Sequence, residues 1–308
     1  MQSKRSRGET QATGEHEGPG IGRGGKPARG RLYVVATPIG NLADVTLRAL
    51  DALRSADTVF AEDTRDSARL LEHHGIRARL AALHEHNERE AARSILRVLE
   101  RGRDVALVAD AGTPAISDPG ALAVATVREA GFDVVPIPGP NAAVAAVSVA
   151  GLPGPFAFAG FLPPKPAARR RALEAWKSFP HTLVFYEAPH RVLECVEDLA
   201  AVLGAARNVV LARELTKLFE TVHATTLGEA HAWLAADANR QRGEFVIVVA
   251  GAGEDDAAAR VTEGERVLRL LLAELPVRTA ARLAAEITGA PKKVLYGAAL
   301  TISGRKSE

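Results

Sequence analysis

The sequence predicts an α/β protein. Strand and helix patterns alternate from Arg31 to about Ala250, and most of the predicted strands in the first half run into loops built of glycine and proline. The stretch Val105 to Gly120, VALVADAGTPAISDPG, joins a short apolar run directly to one such loop. An apolar run of this length is that of a strand buried on both faces of a parallel sheet. Asp110 ends it with a carboxylate; Gly112, Pro114 and Pro119-Gly120 then restrict the loop before a helix begins. Such a loop at the carboxyl end of a strand is where open α/β sheets bind ligands, although a tight connection without a ligand has the same local pattern.

Taken in order, Leu32 to Ala36 is a strand, Thr37 to Leu42 a loop, and Thr46 to Ser55 a helix with Leu47, Leu50 and Leu53 at helical spacing. Thr58 to Ala61 is the second strand, followed by Glu62-Asp63-Thr64-Arg65 and a helix that stops at Gly75. Ala81 to Leu83 is the third, and His84-Glu85-His86-Asn87-Glu88 opens the helix ending near Gly102. After the fourth strand comes a helix from about Pro119 to Ala130; Asp133 to Ile137 is the fifth, closed by Pro138-Gly139-Pro140-Asn141. This β-α-β series implies a mainly parallel sheet with helices on its faces.

The glycine- and proline-dense stretch Gly151 to Pro155 marks a joint. The second half then reads as strand Phe156 to Phe161, a basic helix near Arg169 to Ser178, strand Thr182 to Tyr186 and a helix from Pro189 to Leu203. Strand Asn208 to Ala212, a polar loop and strand around Thr216 to Ala224, helix Leu227 to Ala236 and strand Phe245 to Ala250 complete it. The expected domains are a disordered basic tail (1–30), an N-terminal α/β domain (31–152), a C-terminal α/β domain (153–251), a linker (252–262) and a helical domain (263–308). In the last, Gly289 and the lysines 292 and 293 suggest a helix-turn-helix; a helical appendage packed on the main body or on a second subunit fits the same pattern.

Composition narrows the function classes. The chain has 308 residues, 47% of them apolar, without an uninterrupted run long enough for a membrane span or the apolar centre of a secretory signal, so a cytoplasmic protein is expected. The net charge of +2 does not by itself indicate nucleic acid, and Cys195, the one cysteine, reads as a buried hydrophobe. The first loop is neither G-x-G-x-x-G nor G-x-x-x-x-G-K-[ST], which disfavours a Rossmann dehydrogenase or a P-loop enzyme. No metal site is expected, and no G-x-S-x-G supports a serine hydrolase.

The loop sequences TPIGNLADVTLRAL, AEDTR, LHEHNE, VADAGTPAISDPG and PIPGPNA resemble the N-terminal domain of the tetrapyrrole methylase superfamily. FAGFLPPK, TLVFYEAPHR, ARELTK, GEFVIVVAG and the terminal helices extend the resemblance over about residues 31 to 303, toward the branch that methylates the 2′-oxygen of a cytidine in 16S rRNA. The resemblance implies a two-domain fold with a mixed second sheet, and a cleft holding S-adenosylmethionine. It places the cofactor on Asp110, Ala111, Gly112, Thr113, Pro114, Ile116 and Ser117, on Gly139, Pro140, Asn141 and Ala142, and on Phe185, Tyr186, Ala212, Gly243, Glu244 and Phe245. A ribose hydroxyl needs help to lose its proton. Glu62, Asp63, His84 and Glu85 lie on suitable loops, and Glu62 and Glu85 are the candidates, with helix capping or ion pairing as the structural alternative.

RNA contacts are expected from Lys165, Arg169, Arg170, Arg171, His190, Arg191, Lys217, Lys292 and Lys293. Arg65 and Arg213 read as phosphate contacts or as internal partners of Glu62 and Glu214, and Tyr186 or Phe161 as core or as a surface for the unstacked base. The implied partners are 16S rRNA or the 30S subunit and a second copy of the chain. Two other readings compete: methylation of a tetrapyrrole or other small molecule, and a non-catalytic nucleic-acid-binding protein with a vestigial pocket.

Overall fold

The computed structural model describes residues 29–252 and 257–304, so the expected tail and the first half of the expected linker lie largely outside the described residues. The first lobe alternates β1 (Leu32–Val35), α1 (Leu47–Ser55), β2 (Thr58–Ala61), α2 (Thr64–His73), β3 (Arg79–Ala82), α3 (Glu88–Glu100), β4 (Val105–Val108), α4 (Ala121–Glu129), β5 (Val134–Ile137) and α5 (Ala142–Ala150). Its five strands are all parallel, in the order β3-β2-β4-β1-β5. β2 and β4 are buried along their whole length, as apolar strands covered by helices on both faces must be. Helix starts follow local chemistry. Thr46, Asp63 and Asn141 each accept a backbone N–H of the helix they precede.

The second lobe comprises β6 (Phe156–Phe161), α6 (Pro166–Glu174), β7 (Thr182–Glu187), α7 (Val192–Leu203), β8 (Asn208–Arg213), β9 (Thr221–Thr226), α8 (Leu227–Ala235) and β10 (Phe245–Val249). Its sheet is mixed, in the order β6-β7-β10-β8-β9, with β6 and β7 parallel and the other pairs antiparallel. One face packs on α6, α7 and α8 around Leu183, Phe185, Leu211 and Ile247. The opposite face, with Val184, Val210 and Val248, is covered by Ala143 and Ala146 of α5. The last helix of the first lobe therefore serves as the cover of the second sheet.

Several expected boundaries move: β3 starts two residues early at Arg79, and α6 runs from Pro166 to Glu174 instead of from about Arg169 to Ser178. Residues 216–220 form a turn, with Glu214 and Thr216 at positive φ, so β9 begins only at Thr221. The third helical group is α9 (Ala257–Leu271), α10 (Val277–Thr288) and α11 (Lys292–Gly304), and α9 starts inside the stretch expected to be linker. Alanines at 257 to 259 have high helix propensity, which outweighs the acidic, aperiodic character of the residues before them. The three helices enclose their own core of Leu268, Ala280, Ala284, Leu295 and Ala299. Gly264 lets α9 approach α11, since a Cβ there would stand 2.8 Å from Leu295.

Candidate functional site

The turns leaving the first sheet meet the second sheet in a cleft of about 410 Å³, within the size range of small-molecule sites. One wall is the loop after β4. Thr37 and Gly112 exchange backbone hydrogen bonds of 2.9 and 3.0 Å, and the Thr37 hydroxyl donates to the Ala109 carbonyl at 3.1 Å. Gly112 needs its φ of 81°, and Ala115 and Ser117 adopt left-handed backbone near 65° without being glycines. Strain of that kind persists only where neighbours over-determine the loop. Here Thr113 donates from its hydroxyl to the Pro140 carbonyl at 3.1 Å, binding the loop after β4 to the one after β5. Glu88 of α3 accepts the N–H groups of Gly120 and Leu122 at 2.8 Å and of Ala123 at 3.3 Å, which caps α4 from a neighbouring helix.

The second lobe supplies Phe161, Tyr186, Ala188, Ala212, Leu215 and Phe245. A bulge between Phe158 and Gly160 leaves Ala159 unpaired and shifts the β6 register ahead of Phe161, with Gly160 at φ 66°. The same glycine meets Ser117 of the first lobe, whose Oγ would lie 3.4 Å from an added Cβ. Tyr186 accepts the Ala143 N–H on its phenol oxygen at 3.2 Å, and burial raises its pKa. At the lower rim Lys217 donates to Glu214 at 3.0 Å and to Glu244 at 3.1 Å. The Lys217 stem covers Gly40, where a Cβ would come within 2.5 Å of it.

Three carboxylates of the first lobe line the cleft: Glu62, Asp110 and Asp118. Asp110 accepts the Asp63 N–H at 2.7 Å. Glu62 and Asp118 make no hydrogen bond among the described residues. Asp118 is pushed up to about 6, by burial first and then by the charges of Glu62 and Asp110. Burial and Asp110 also raise Glu62, while His84 works in the opposite direction.

Of the residues expected on the cofactor, Asp110, Ala111, Gly112, Thr113, Ile116, Ser117, Asn141, Ala142, Tyr186, Ala212, Glu244 and Phe245 line this cleft. Pro114, Gly139, Pro140 and Gly243 do not line it and act on loop geometry instead. Gly139 sits where a Cβ would meet Ala36 at 2.9 Å, and Gly243, at φ 87°, faces Glu214. Phe185 is a correction: it is fully buried on the far face of β7, because adjacent strand residues point to opposite sides and Tyr186 takes the cleft side. Glu62 lies in the cleft and Glu85 does not. Sequence reasoning passed over Asp118, whose signal was available as the carboxylate before Pro119-Gly120, and over Glu187 and Leu215.

The expected RNA contacts divide sharply. Arg169 is fully buried, donating to Asp198 at 2.6 Å and to Glu194 at 3.3 Å, so it is an internal residue. Arg191 is held by Glu187 at 3.1 Å and by the Leu162 carbonyl at 2.6 Å, and Lys217 by its two carboxylates. Arg170 is exposed but pairs with Asp198 at 2.9 Å. Lys165, Arg171, Lys292 and Lys293 are exposed and make no ion pair among the described residues. Arg65 pairs with Asp63 and not with Glu62, while Arg213 donates to the Arg242 carbonyl at 3.1 Å. Cys195 is buried against Glu187, which together with burial raises its pKa.

Comparison with known proteins agrees with this architecture. Residues 31–231 match the family described as Tetrapyrrole (Corrin/Porphyrin) Methylases, and residues 258–303 match the RsmI C-terminal HTH domain. The chain is 54% identical to "Ribosomal RNA small subunit methyltransferase I" of Escherichia coli O157:H7 over 280 residues, covering 90% of this chain and 97% of the relative. It is likewise 54% identical over 281 residues to the protein of that name from Pseudomonas aeruginosa, covering 90% and 99%. Uroporphyrin-III-C-methyltransferase from Thermus thermophilus shares the fold at 23% identity, with a TM-score of 0.52 over 73% of this chain and 95% of that one. With both lobes and the terminal helices matched in sequence, the chain belongs to the ribosomal RNA small subunit methyltransferase I family of tetrapyrrole methylases.

Proposed function

We propose that the chain transfers a methyl group from S-adenosylmethionine to the ribose 2′-oxygen of a cytidine in 16S rRNA, in the cytoplasm. The observation that carries this reading is a cleft with a floor of small residues, Ala111, Gly112, Ala142 and Ala212, and carboxylates without hydrogen-bond partners at its wall. Small residues and loop backbone suit an adenosine, and carboxylates suit a cationic ligand with hydroxyl and amino donors. The cofactor, when bound, supplies an electrophilic methyl carbon on a positive sulfonium.

The protein's task is then alignment and proton removal. The Thr113 tie to Pro140 and the Glu88 cap on α4 fix the loop after β4, so the positions of Asp110 and Ser117 do not drift. Glu62 is the group proposed to take the hydroxyl proton. Its pKa is above the ordinary carboxylate value, which makes it a stronger base, and it lies in the cleft without a competing hydrogen bond. Exposed Phe161, in edge contact with Tyr186 at 5.6 Å, offers a ring to the unstacked base. Lys165, Arg171, Lys292 and Lys293 are the proposed phosphate contacts. The reading includes a homodimer, supported by Leu218 and Phe219, which are 89% and 66% exposed on one turn.

The test is methyl transfer from labelled S-adenosylmethionine to assembled 30S particles and to naked 16S rRNA, with mass mapping of the product. One methyl on a cytidine ribose is expected. Absence of label in both substrates overturns the reading.

A further inference from the structure

The outer edge of the first sheet carries a second concave surface. Strand β3 is an end strand, and between it and α3 runs a groove of about 450 Å³. Glu90, Ser94 and Arg97 line it from one stripe of α3, at the i, i+4 and i+7 spacing, with Arg101 at the cap of that helix, and Arg79 lines it from β3. The groove thus holds three arginines against one carboxylate, and none of the three makes an ion pair among the described residues. Arg97 donates only to the Ser94 hydroxyl, at 2.7 Å. Asp57, whose charge Arg79 feels, is already paired with Arg103.

Unpaired guanidinium groups converging on a concave surface attract and bind oxyanions, phosphate above all, because their planar fork matches two of its oxygens. The upper end of the groove lies at the carboxyl ends of the strands, the side of the sheet on which the cleft opens. There Asn87 donates to the Ala82 carbonyl at 3.2 Å and accepts the His84 N–H at 2.8 Å. The charge of His84 opposes the rise that burial and Asp110 produce in the Glu62 pKa. Glu62 follows β2 and the groove is lined by Phe60 of the same strand, so both open from the β2–β3 side of the first sheet.

We propose that the β3–α3 groove is the docking track for the sugar-phosphate backbone of the rRNA strand flanking the target nucleotide. This rests on the reading of the substrate as rRNA. It differs from the proposed phosphate contacts Lys165, Arg171, Lys292 and Lys293, which lie on the second lobe and the terminal helices.

The experiment compares the parent with a triple variant, Arg79→Gln, Arg97→Gln and Arg101→Gln, and with the matching triple lysine variant. Binding to naked 16S rRNA and to 30S particles is measured across salt, alongside methyl transfer, S-adenosylmethionine affinity and molar mass. For the glutamine variant, KM for rRNA rises roughly tenfold or more and the salt slope of log K falls by about two to three. kcat, cofactor affinity and mass stay at the parent values, and the lysine variant keeps most of the salt slope. An unchanged slope and KM overturn the proposal. Weaker binding to 30S particles with unchanged binding to naked rRNA assigns the groove to a ribosomal protein, and a changed mass assigns it to a second copy; both also overturn it. If the parent itself neither binds nor methylates rRNA, the substrate reading fails and takes the track with it.

Discussion

Asp118 sits partly out of water beside Glu62 and Asp110, so folding favours its protonated form, with a pKa of about 6 against an ordinary value of 3.8. Between those two values the folded chain binds more protons than the unfolded one, and stability therefore falls as pH rises through that window. Asp118→Asn removes this dependence, so its Tm gains on the parent by roughly 2 to 4 °C between pH 4 and pH 7 in thermal melts. A cationic ligand reverses the preference, since it stabilises the ionised carboxylate. Parent affinity for S-adenosylmethionine should thus tighten from pH 5 to pH 7, and calorimetry on Asp118→Asn should show a flatter profile. Glu62→Gln tests the proposed base: kcat drops about 10²- to 10⁴-fold in single-turnover methyl transfer at saturating cofactor. At this scale the sequence was only partly legible. Glu62 could be found because it follows a strand, but Glu85 follows one too and does not line the cleft. Arg169 looked like any basic helix residue, since only the register of α6 on α7 shows that Asp198 meets it in the core.

Elements were easier to read than contacts between elements. β2 and β6 have the limits that apolarity and flanking turns imply, and the glycine and proline loops fall at strand ends as expected. Alternation along β7 separates Phe185 from Tyr186, a consequence of strand geometry that a motif read as a block conceals. The start of α4 shows what local pattern cannot carry. Gly120 has no side chain to cap the helix, and the acceptor is Glu88, which lies on α3. Glu88→Ala leaves three backbone donors without it and should cost about 1–2 kcal/mol in urea unfolding, with weaker cofactor binding because the loop before α4 loosens. Thr113→Val, which removes the tie to Pro140 at nearly constant volume, should weaken cofactor binding with little change in the unfolding midpoint.

Across the whole molecule the two lobes are joined through α5, whose alanines pack on Val184, Val210 and Val248 of the second sheet. This packing, with the Gly160–Ser117 and Gly40–Lys217 contacts, brings the loops of one sheet against the strands of the other, so that neither lobe alone encloses a ligand. Arg169 belongs to this scale as a structural residue. Arg169→Ala should lower stability by about 3 kcal/mol or more, because Asp198 loses its buried partner, and leave rRNA affinity per folded molecule unchanged. One cleft, closed by both lobes, is the proposed seat of the methyl donor. Its most direct test is calorimetric titration of S-adenosylmethionine into the parent, Ala111→Phe in the first lobe and Ala188→Phe in the second. Both substitutions are predicted to weaken binding by about tenfold or more, through bulk in the cleft, with melting temperatures near that of the parent. Parent-like affinity in Ala188→Phe would mean that the second lobe does not enclose the donor.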